Sequence, residues 1–271
     1  MKHTVVNQNP TIPVVANIPH SSPYIPDDIR EQFIISDAEL AEENRLLVDW
    51  FTDELYAPLT ALGGCALQHN ISRFVLDPER FDDDSKEIMS SRGMGVIYTH
   101  GCSRQEIRRV LSHQEREYLL SRYYRPYHDE MNRLVRASVE QFGHCFFIDC
   151  HSYPEHKLPY EIDGNGERPD VVLGTDPYHT PEPLIEQIQS LVLDAGYTFG
   201  LNKPFAGTVV PLSCYKDTRV TAFMLEINRR TYMNEITSTH HLGFKKMQSL
   251  IHSIAELCLE NSDPIHISEI K

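Results

Sequence analysis

The chain has 271 residues, 31.2 kDa and 41% hydrophobic content, enough to bury a large core and long for one domain but short for two. With 25 Lys+Arg against 39 Asp+Glu the formal charge is −14, which repels phosphate backbones and anionic lipid, so neither nucleic acid nor a membrane is an expected partner. No stretch reaches the roughly 18 apolar residues of a membrane span, and the opening MKHTVVNQNP lacks the basic-then-apolar layout of a secretory signal.

The expectation is one soluble, cytoplasmic α/β domain over residues 1–271, working as a monomer or small homo-oligomer. In chain order, strand-like runs are IPVVANI (12–18), GCALQHN (64–70), HCFFIDC (144–150), PDVVLGT (169–175), YTFGLNK (197–203) and AFMLEINR (222–229). Helical patterns lie between them at 37–62, at 104–142 with a break near Pro126, at 181–196 and at 238–261. Apolar strands alternating with helices predict a three-layer α/β/α sandwich around a mixed, largely parallel sheet. In such sheets ligands sit beyond the carboxyl ends of the strands.

That rule sorts the polar residues. VVANIPH runs out at His20, FFIDCH at Asp149 and His151, and FMLEINRR at Glu226, so one sheet should gather these groups at one rim. A lone histidine after a strand is usually a turn or core residue, but two histidines with a carboxylate at equivalent ends suit a metal. Catalytic zinc takes three protein ligands and keeps a position for water, whose pKa falls to about 7 on the ion. His20 and His151 supply two ligands. For the third, Asp49, Asp53, Glu43 and Asp149 compete. Asp49 in LLVDWFTDELY is preferred, although on a helix Asp49 and Asp53 would lie one turn apart and spacing alone does not separate them.

Other features read as structural. The six cysteines form no CxxC pair and suggest neither disulfides nor a zinc ribbon. Cys150 and His151 point to opposite faces of an extended strand, which argues against a nucleophilic cysteine. DGNGER (163–168) lacks the spacing of a calcium loop, and no phosphate-binding glycine motif follows a strand, so no nucleotide cofactor is implied.

The segments NIPHSS, VDWFTDELY, SRFVLDPER, YRPYH, IDCHSY, NKPFAGTVVP and LEINRRTYM occur in the order expected of the N-formylglutamate amidohydrolase family, and residues 14–233 resemble it. The resemblance implies a fold similar to that of zinc carboxypeptidases and succinylglutamate desuccinylases. It also implies a metal-dependent amidase that cleaves N-formyl-L-glutamate to glutamate and formate at the end of one histidine-degradation route. It implies His20 and His151 as metal ligands with the acidic residue of the VDW segment as third, Glu226 at the position of a carboxypeptidase-like general base, and PFAGTVVP (204–211) as a pocket loop. Two departures stand out. SRFVLDPERFDDD has Pro78 and Glu79 where an aliphatic residue and Asn are usual, followed by the acidic Asp82–Asp84, and Pro23 follows His20 where an HxxE motif would place Glu.

An anionic N-acyl amino acid needs fork-shaped donors, which guanidinium supplies and ammonium does not. Arg73, Arg80 and Arg229 are the candidates, each with a structural alternative: Arg80 paired to the acidic run, Arg229 bracing Asp149 or a sheet edge. His128 is a further candidate for substrate binding. The resulting expectation is a hydrolase holding one divalent ion, zinc, on His20, Asp49 and His151. Glu226 and Arg73 are catalytic, and Arg73, Arg80, His128 and Arg229 bind a small anionic substrate. The alternatives are another N-acyl amino acid deacylase, a carboxypeptidase-like hydrolase, or a metal-binding module without catalysis, which would have no need of Glu226.

Overall fold

Val14–Ile18 (β2) and Cys145–Tyr153 (β4) are buried at every position, which only a strand covered on both faces requires. They lie at the centre of the sheet in the computed structural model, which describes residues 2–162 and 166–261. The other strands are β1 (His3–Val6), β3 (Cys65–His69), β5 (Val171–Thr175), β6 (Phe199–Leu201) and β7 (Val220–Asn228), in the order β1-β3-β2-β4-β7-β5-β6. β3, β2, β4 and β7 are mutually parallel. β1 runs antiparallel to β3, and the parallel pair β5 and β6 joins antiparallel to β7. The six strand-like runs of the sequence are all strands of this mixed, largely parallel sheet. β1 had no signal, because its four half-buried residues neither alternate nor form an apolar run.

Helices cover both faces. Val14, Ala16, Ile18, Ile148, Cys150 and Leu225 point to one side, where helices α4 (Ala57–Ala61), α7 (Glu182–Asp194) and α8 (Gly243–Glu260) pack. Val15, Leu67, Phe147 and Ala222 point to the other, under Tyr127, Met131, Leu134 and Val135 of α6 (Arg125–Phe142). Each fully buried Val, Leu, Ile, Phe or Met among them contributes about 1.5–3 kcal/mol. All six cysteines are buried as thiols rather than disulfides. No helix among the described residues is long and apolar enough to cross a membrane.

Two helical expectations need correction. Residues 37–62 are not one helix: after a short α1 (Asp27–Arg30), α2 (Asp37–Leu47), started by a Ser36–Glu39 capping box, stops at Val48, and the short α3 (Thr52–Leu55) and α4 follow. In 104–142, helix begins only at His113, with a second capping box from Ser112 and Glu115, and does not break at Pro126. α5 (His113–Leu119) runs through a π-turn at Leu120–Tyr124 into α6. Proline crowds the carbonyl four residues back, here Arg122, and the wider π-turn lies where that carbonyl must be relieved. A third cluster, with Leu40, Leu47, Phe74, Val75, Leu76, Val96, Ile107 and Tyr123, is built largely from the segment between β3 and β4. It anchors the chain on both sides of Asp77–Arg80.

Candidate metal centre

The register of the sheet builds the site. His151 of β4 pairs with Glu226 of β7, and Asp149 of β4 pairs with Asn17 of β2. Because alternate residues share a face, Asn17, Asp149, His151 and Glu226 project to the same side as Phe147. His151 and Glu226 lie inside their strands, two residues before β4 and β7 end, rather than beyond them as expected, while His20 follows the end of β2. Asp49 is not on a helix. It sits in the break after α2, its N–H donates to the carbonyl of His20 at 3.0 Å, and Phe51 takes a left-handed φ of 64° to turn the chain into α3. A non-glycine residue in that region costs about 1–3 kcal/mol, a strain that recurs at functional sites. Asp53 is therefore turned outward and exposed. Glu43 is buried but accepts from Cys102 N at 2.7 Å and is bonded by Gln105.

His20, Asp49 and His151 each offer a ligand atom, all within 4.8 Å of one another, and all three are buried. Asp49 Oδ2 lies 3.0 Å from His151 Nδ1 and 3.7 Å from His20 Nδ1. A tetrahedral ion with bonds of about 2.0–2.2 Å sets its ligands about 3.3–3.6 Å apart, so the spacing fits. His20 Nδ1 is buried without a hydrogen bond, while its Nε2 lies 2.8 Å from Asp77 Oδ1. A carboxylate on one imidazole nitrogen with the other left bare is the arrangement that orients metal-ligating histidines. The carboxylates divide by partner: Asp77 pairs with Arg73, Asp49 lies 3.9 Å from Arg73 and 3.7 Å from Arg229, and Glu79 and Asp149 face His151. Burial pushes Glu226 up to about 8, and burial together with the Asp149 charge pushes Glu79 up to about 7. Burial would also raise Asp77, but His20 and Arg73 outweigh it and hold that carboxyl well below its usual range.

A cavity of about 500 Å³ opens beside these ligands, reached by Glu226, Arg73, Arg80, Met89, Tyr160 and Phe205 among others. The three arginines differ sharply. Arg73 spends Nη2 on Asp77 at 2.8 Å and Nε on Tyr98 Oη at 3.1 Å, which leaves Nη1, 3.9 Å from Asp49. Arg229 is 1% exposed, donates from Nη1 to the carbonyl of Leu46 at 2.7 Å and braces Asp49, not Asp149. Arg80 makes no side-chain hydrogen bond with any described residue, its Nε standing 3.8 Å from Asp77. It does not pair with the acidic run, which faces solvent, where Asp83 meets Lys86 and Asp84 meets Arg116. His128 does not line the cavity; its Nε2 contacts the carbonyl of Pro78 at 2.8 Å and its ring packs on Tyr124. Glu226 Oε2 is buried with no hydrogen bond. Pro204, Phe205 and Ala206 of the PFAGTVVP segment do line the cavity. That loop comes close because β5 carries Gly174, where a Cβ would stand 2.1 Å from the carbonyl oxygen of Gly207. Of DGNGER, residues 163–165 lie outside the described residues.

A model of the N-formylglutamate amidohydrolase family matches residues 12–233. The chain belongs to that family. It is 30% identical over 233 residues to the N-formylglutamate deformylase of Pseudomonas putida, and 28% identical over 239 residues to that of Pseudomonas aeruginosa, each match covering 83% of both chains. The crystal structure of an N-formylglutamate amidohydrolase from Ralstonia eutropha superposes with a TM-score of 0.81 at 26% identity, covering 96% of this chain and 99% of that one. A protein from Agrobacterium tumefaciens shares the fold at 16% identity and a TM-score of 0.72.

Family motifs alone left the partners of the two imidazoles unassigned. Asp77 takes His20, and Glu79 Oε2 stands 3.0 Å from His151 Nε2 with Asp149 Oδ1 at 3.2 Å. Behind them Tyr127 Oη donates to Asn17 Oδ1 at 2.6 Å, and Tyr98 Oη donates to Asp77 at 2.6 Å. One signal was available for Asn17: it is the single polar residue of an otherwise apolar strand.

Proposed function

We propose that the protein is a zinc-dependent amidohydrolase that cleaves N-formyl-L-glutamate to L-glutamate and formate. The observation that carries this reading is the bare, buried Nδ1 of His20 beside Asp49 and His151, at the edge of a cavity that also holds an unbonded Glu226 oxygen and an Arg80 without a side-chain hydrogen bond. His20, Asp49 and His151 would hold the ion, which when bound supplies Lewis acidity toward water and the formyl carbonyl. Glu226 takes a proton from the attacking water and returns it to the leaving amine nitrogen as the C–N bond breaks, a task suited to a carboxyl with a pKa near neutrality. Arg73 Nη1, the nitrogen without a hydrogen bond, donates to the carbonyl oxygen as charge builds on it. Arg80 grips a substrate carboxylate through the guanidinium nitrogens it does not turn to Asp77. The substrate is thus a small anion drawn by local arginines against a net charge of −14. Six buried thiols with no disulfide among them suit a cytoplasmic setting.

A second reading is favoured by cavity size: about 500 Å³ with Ile88, Met89, Ile162 and Phe205 on its walls exceeds the needs of a formyl group and suits a larger N-acyl amino acid. The test is a panel of formyl, acetyl and succinyl derivatives of Glu, Asp and Gln on protein stripped of metal and reloaded with zinc. Fastest turnover of N-formyl-Glu, abolished by chelator and restored by zinc, supports the first reading. Preference for a longer acyl group supports the second, and equal activity with and without metal refutes both.

A further inference from the structure

We infer that Glu79 is a positioning residue for the metal centre: with Asp149 it clamps Nε2 of His151 and so presents Nδ1 of that ring to the ion. The inference rests on the reading of His151 as a metal ligand. His151 Nδ1 faces Asp49 at 3.0 Å, while on the far side of the ring Nε2 stands 3.0 Å from Glu79 Oε2 and 3.2 Å from Asp149 Oδ1, close to both carboxylates without hydrogen-bond geometry to either. Glu79, Asp149 and His151 also lie close enough together to hold an ion themselves. Both carboxylates are themselves fixed. The amide nitrogen of Asn17 donates to Glu79 Oε1 at 2.9 Å and to Asp149 Oδ1 at 2.8 Å, and Val209 N donates to Asp149 Oδ2 at 3.2 Å. Tyr127 Oη, donating to Asn17 Oδ1, sets which way that amide points, since the flipped amide would turn its oxygen on two carboxylates.

Glu79 therefore turns its two oxygens to different partners, accepting from Asn17 with one and standing 3.0 Å from His151 Nε2 with the other. A carboxylate accepts at both. An amide of the same shape accepts at one and donates at the other, so one of the two contacts becomes donor against donor. The placement also joins recognition to the ion. Asp77, Glu79 and Arg80 are near neighbours on one turn, with Asp77 on His20, Glu79 beside His151 and Arg80 lining the cavity without a side-chain hydrogen bond. A shift of this turn moves both imidazoles and the arginine together.

The test measures zinc affinity of the metal-free protein by competition with a chromogenic chelator, for the wild type, Glu79→Gln and Glu79→Ala, with the cobalt-loaded absorption spectrum as a second readout. Outer partners of metal-ligating histidines are worth about 10–100-fold in metal affinity. Both variants should bind zinc weaker by that factor, show an altered cobalt spectrum, and recover kcat to within severalfold at saturating zinc. Unchanged affinity and spectrum in a variant of lowered melting temperature would make Glu79 merely structural and overturn the inference. So would unchanged affinity with kcat lost at saturating zinc, which would make it a proton-transfer group. Two zinc ions in the wild type and one in Glu79→Gln would overturn it as well, since the carboxylates would then bind an ion themselves. A wild type that binds no zinc refutes the metal centre as a whole, a failure distinct from these. Should Glu79→Gln not fold, Tyr127→Phe carries the test: it frees the Asn17 amide and should weaken zinc severalfold, and unchanged affinity would refute the clamp.

Discussion

Replacing Asp77 by Asn removes one negative charge and leaves the shape. Asp77 is fully buried and makes four contacts: Oδ1 with Glu79 N at 3.0 Å and His20 Nε2 at 2.8 Å, and Oδ2 with Tyr98 Oη at 2.6 Å and Arg73 Nη2 at 2.8 Å. An amide keeps one acceptor oxygen, so two of the four partners would face an NH2 group. Leaving a buried donor unsatisfied costs about 1–3 kcal/mol, hence about 2–6 kcal/mol for two. Breaking a buried ion pair by removing one partner costs about 3–5 kcal/mol, and the two routes agree. At roughly 2–4 °C per kcal/mol for a chain of this size, the melting temperature should fall on the order of 10 °C. Urea unfolding of the metal-free protein at pH 7 measures the loss directly, with Asp83→Asn on the exposed loop as a control expected to change stability by less than about 1 kcal/mol. The pH dependence has a definite sign. The folded Asp77 carboxyl lies well below its unfolded value of about 3.9, so its contribution is complete above that value and is lost as pH falls through the range below it. The gap between wild type and variant should therefore be full at pH 7 and narrow below about pH 4. A variant within about 1 kcal/mol of the wild type at pH 7, or a gap that pH does not change, would refute the reasoning.

Glu226→Gln preserves size but cannot accept the proton of water, so kcat should drop roughly 100-fold or more with zinc content unchanged; loss of zinc instead would make Glu226 a ligand. Arg80→Lys keeps the charge and loses the fork. Loss of a charge-assisted contact is worth about 1.5–3 kcal/mol, or roughly 10- to 150-fold in kcat/KM for N-formyl-Glu, and an unaffected ratio of N-formyl-Glu to N-formyl-Gln turnover would show that Arg80 does not read the substrate carboxylate. Gly174→Ala would drive a methyl group into the carbonyl of Gly207, displacing the cavity loop at an overpacking cost of about 1–3 kcal/mol; denaturant unfolding and KM together check it, and a neutral result in both would show that the loop yields freely.

The parts legible in the sequence were those fixed by burial of apolar side chains. β2, β4 and β7 are buried along almost their whole length, so their apolar runs announce themselves whatever the chain does elsewhere. The misread parts are set by partners distant in the chain. α2 stops where the Asp49 N–H goes to His20 and Phe51 turns left-handed, and neither glycine nor proline marks the place. The charged run starting at Arg104 looks like the exposed face of a helix, yet Arg108 is buried, bridges to Phe33 as extended chain, stacks on its ring and donates to the carbonyl of Phe74 at 2.7 Å. A long side chain that buries its stem and satisfies its head on backbone oxygens leaves no trace in the polarity pattern.

The same limit explains why the candidate ligands were easier to single out than the residues packed against them. A histidine at a strand end is visible in sequence, but an imidazole has two nitrogens, and its chemistry depends on which one is already engaged. For His20 that choice is made by Asp77, 57 residues along the chain. Asp77 can reach Nε2 because the segment between β3 and β4 packs its own apolar cluster and anchors the turn there. The two imidazoles are thus placed in or just beyond the sheet strands, whereas Asp77 and Glu79 beside them come from a separately packed segment. The order SRFVLDPER records the residues of that turn without recording which ring each will meet. Changes in the packing of Phe74, Val75 or Leu76, none of which touches an ion, should for this reason act on the metal centre through Asp77 and Glu79 before they act on the sheet.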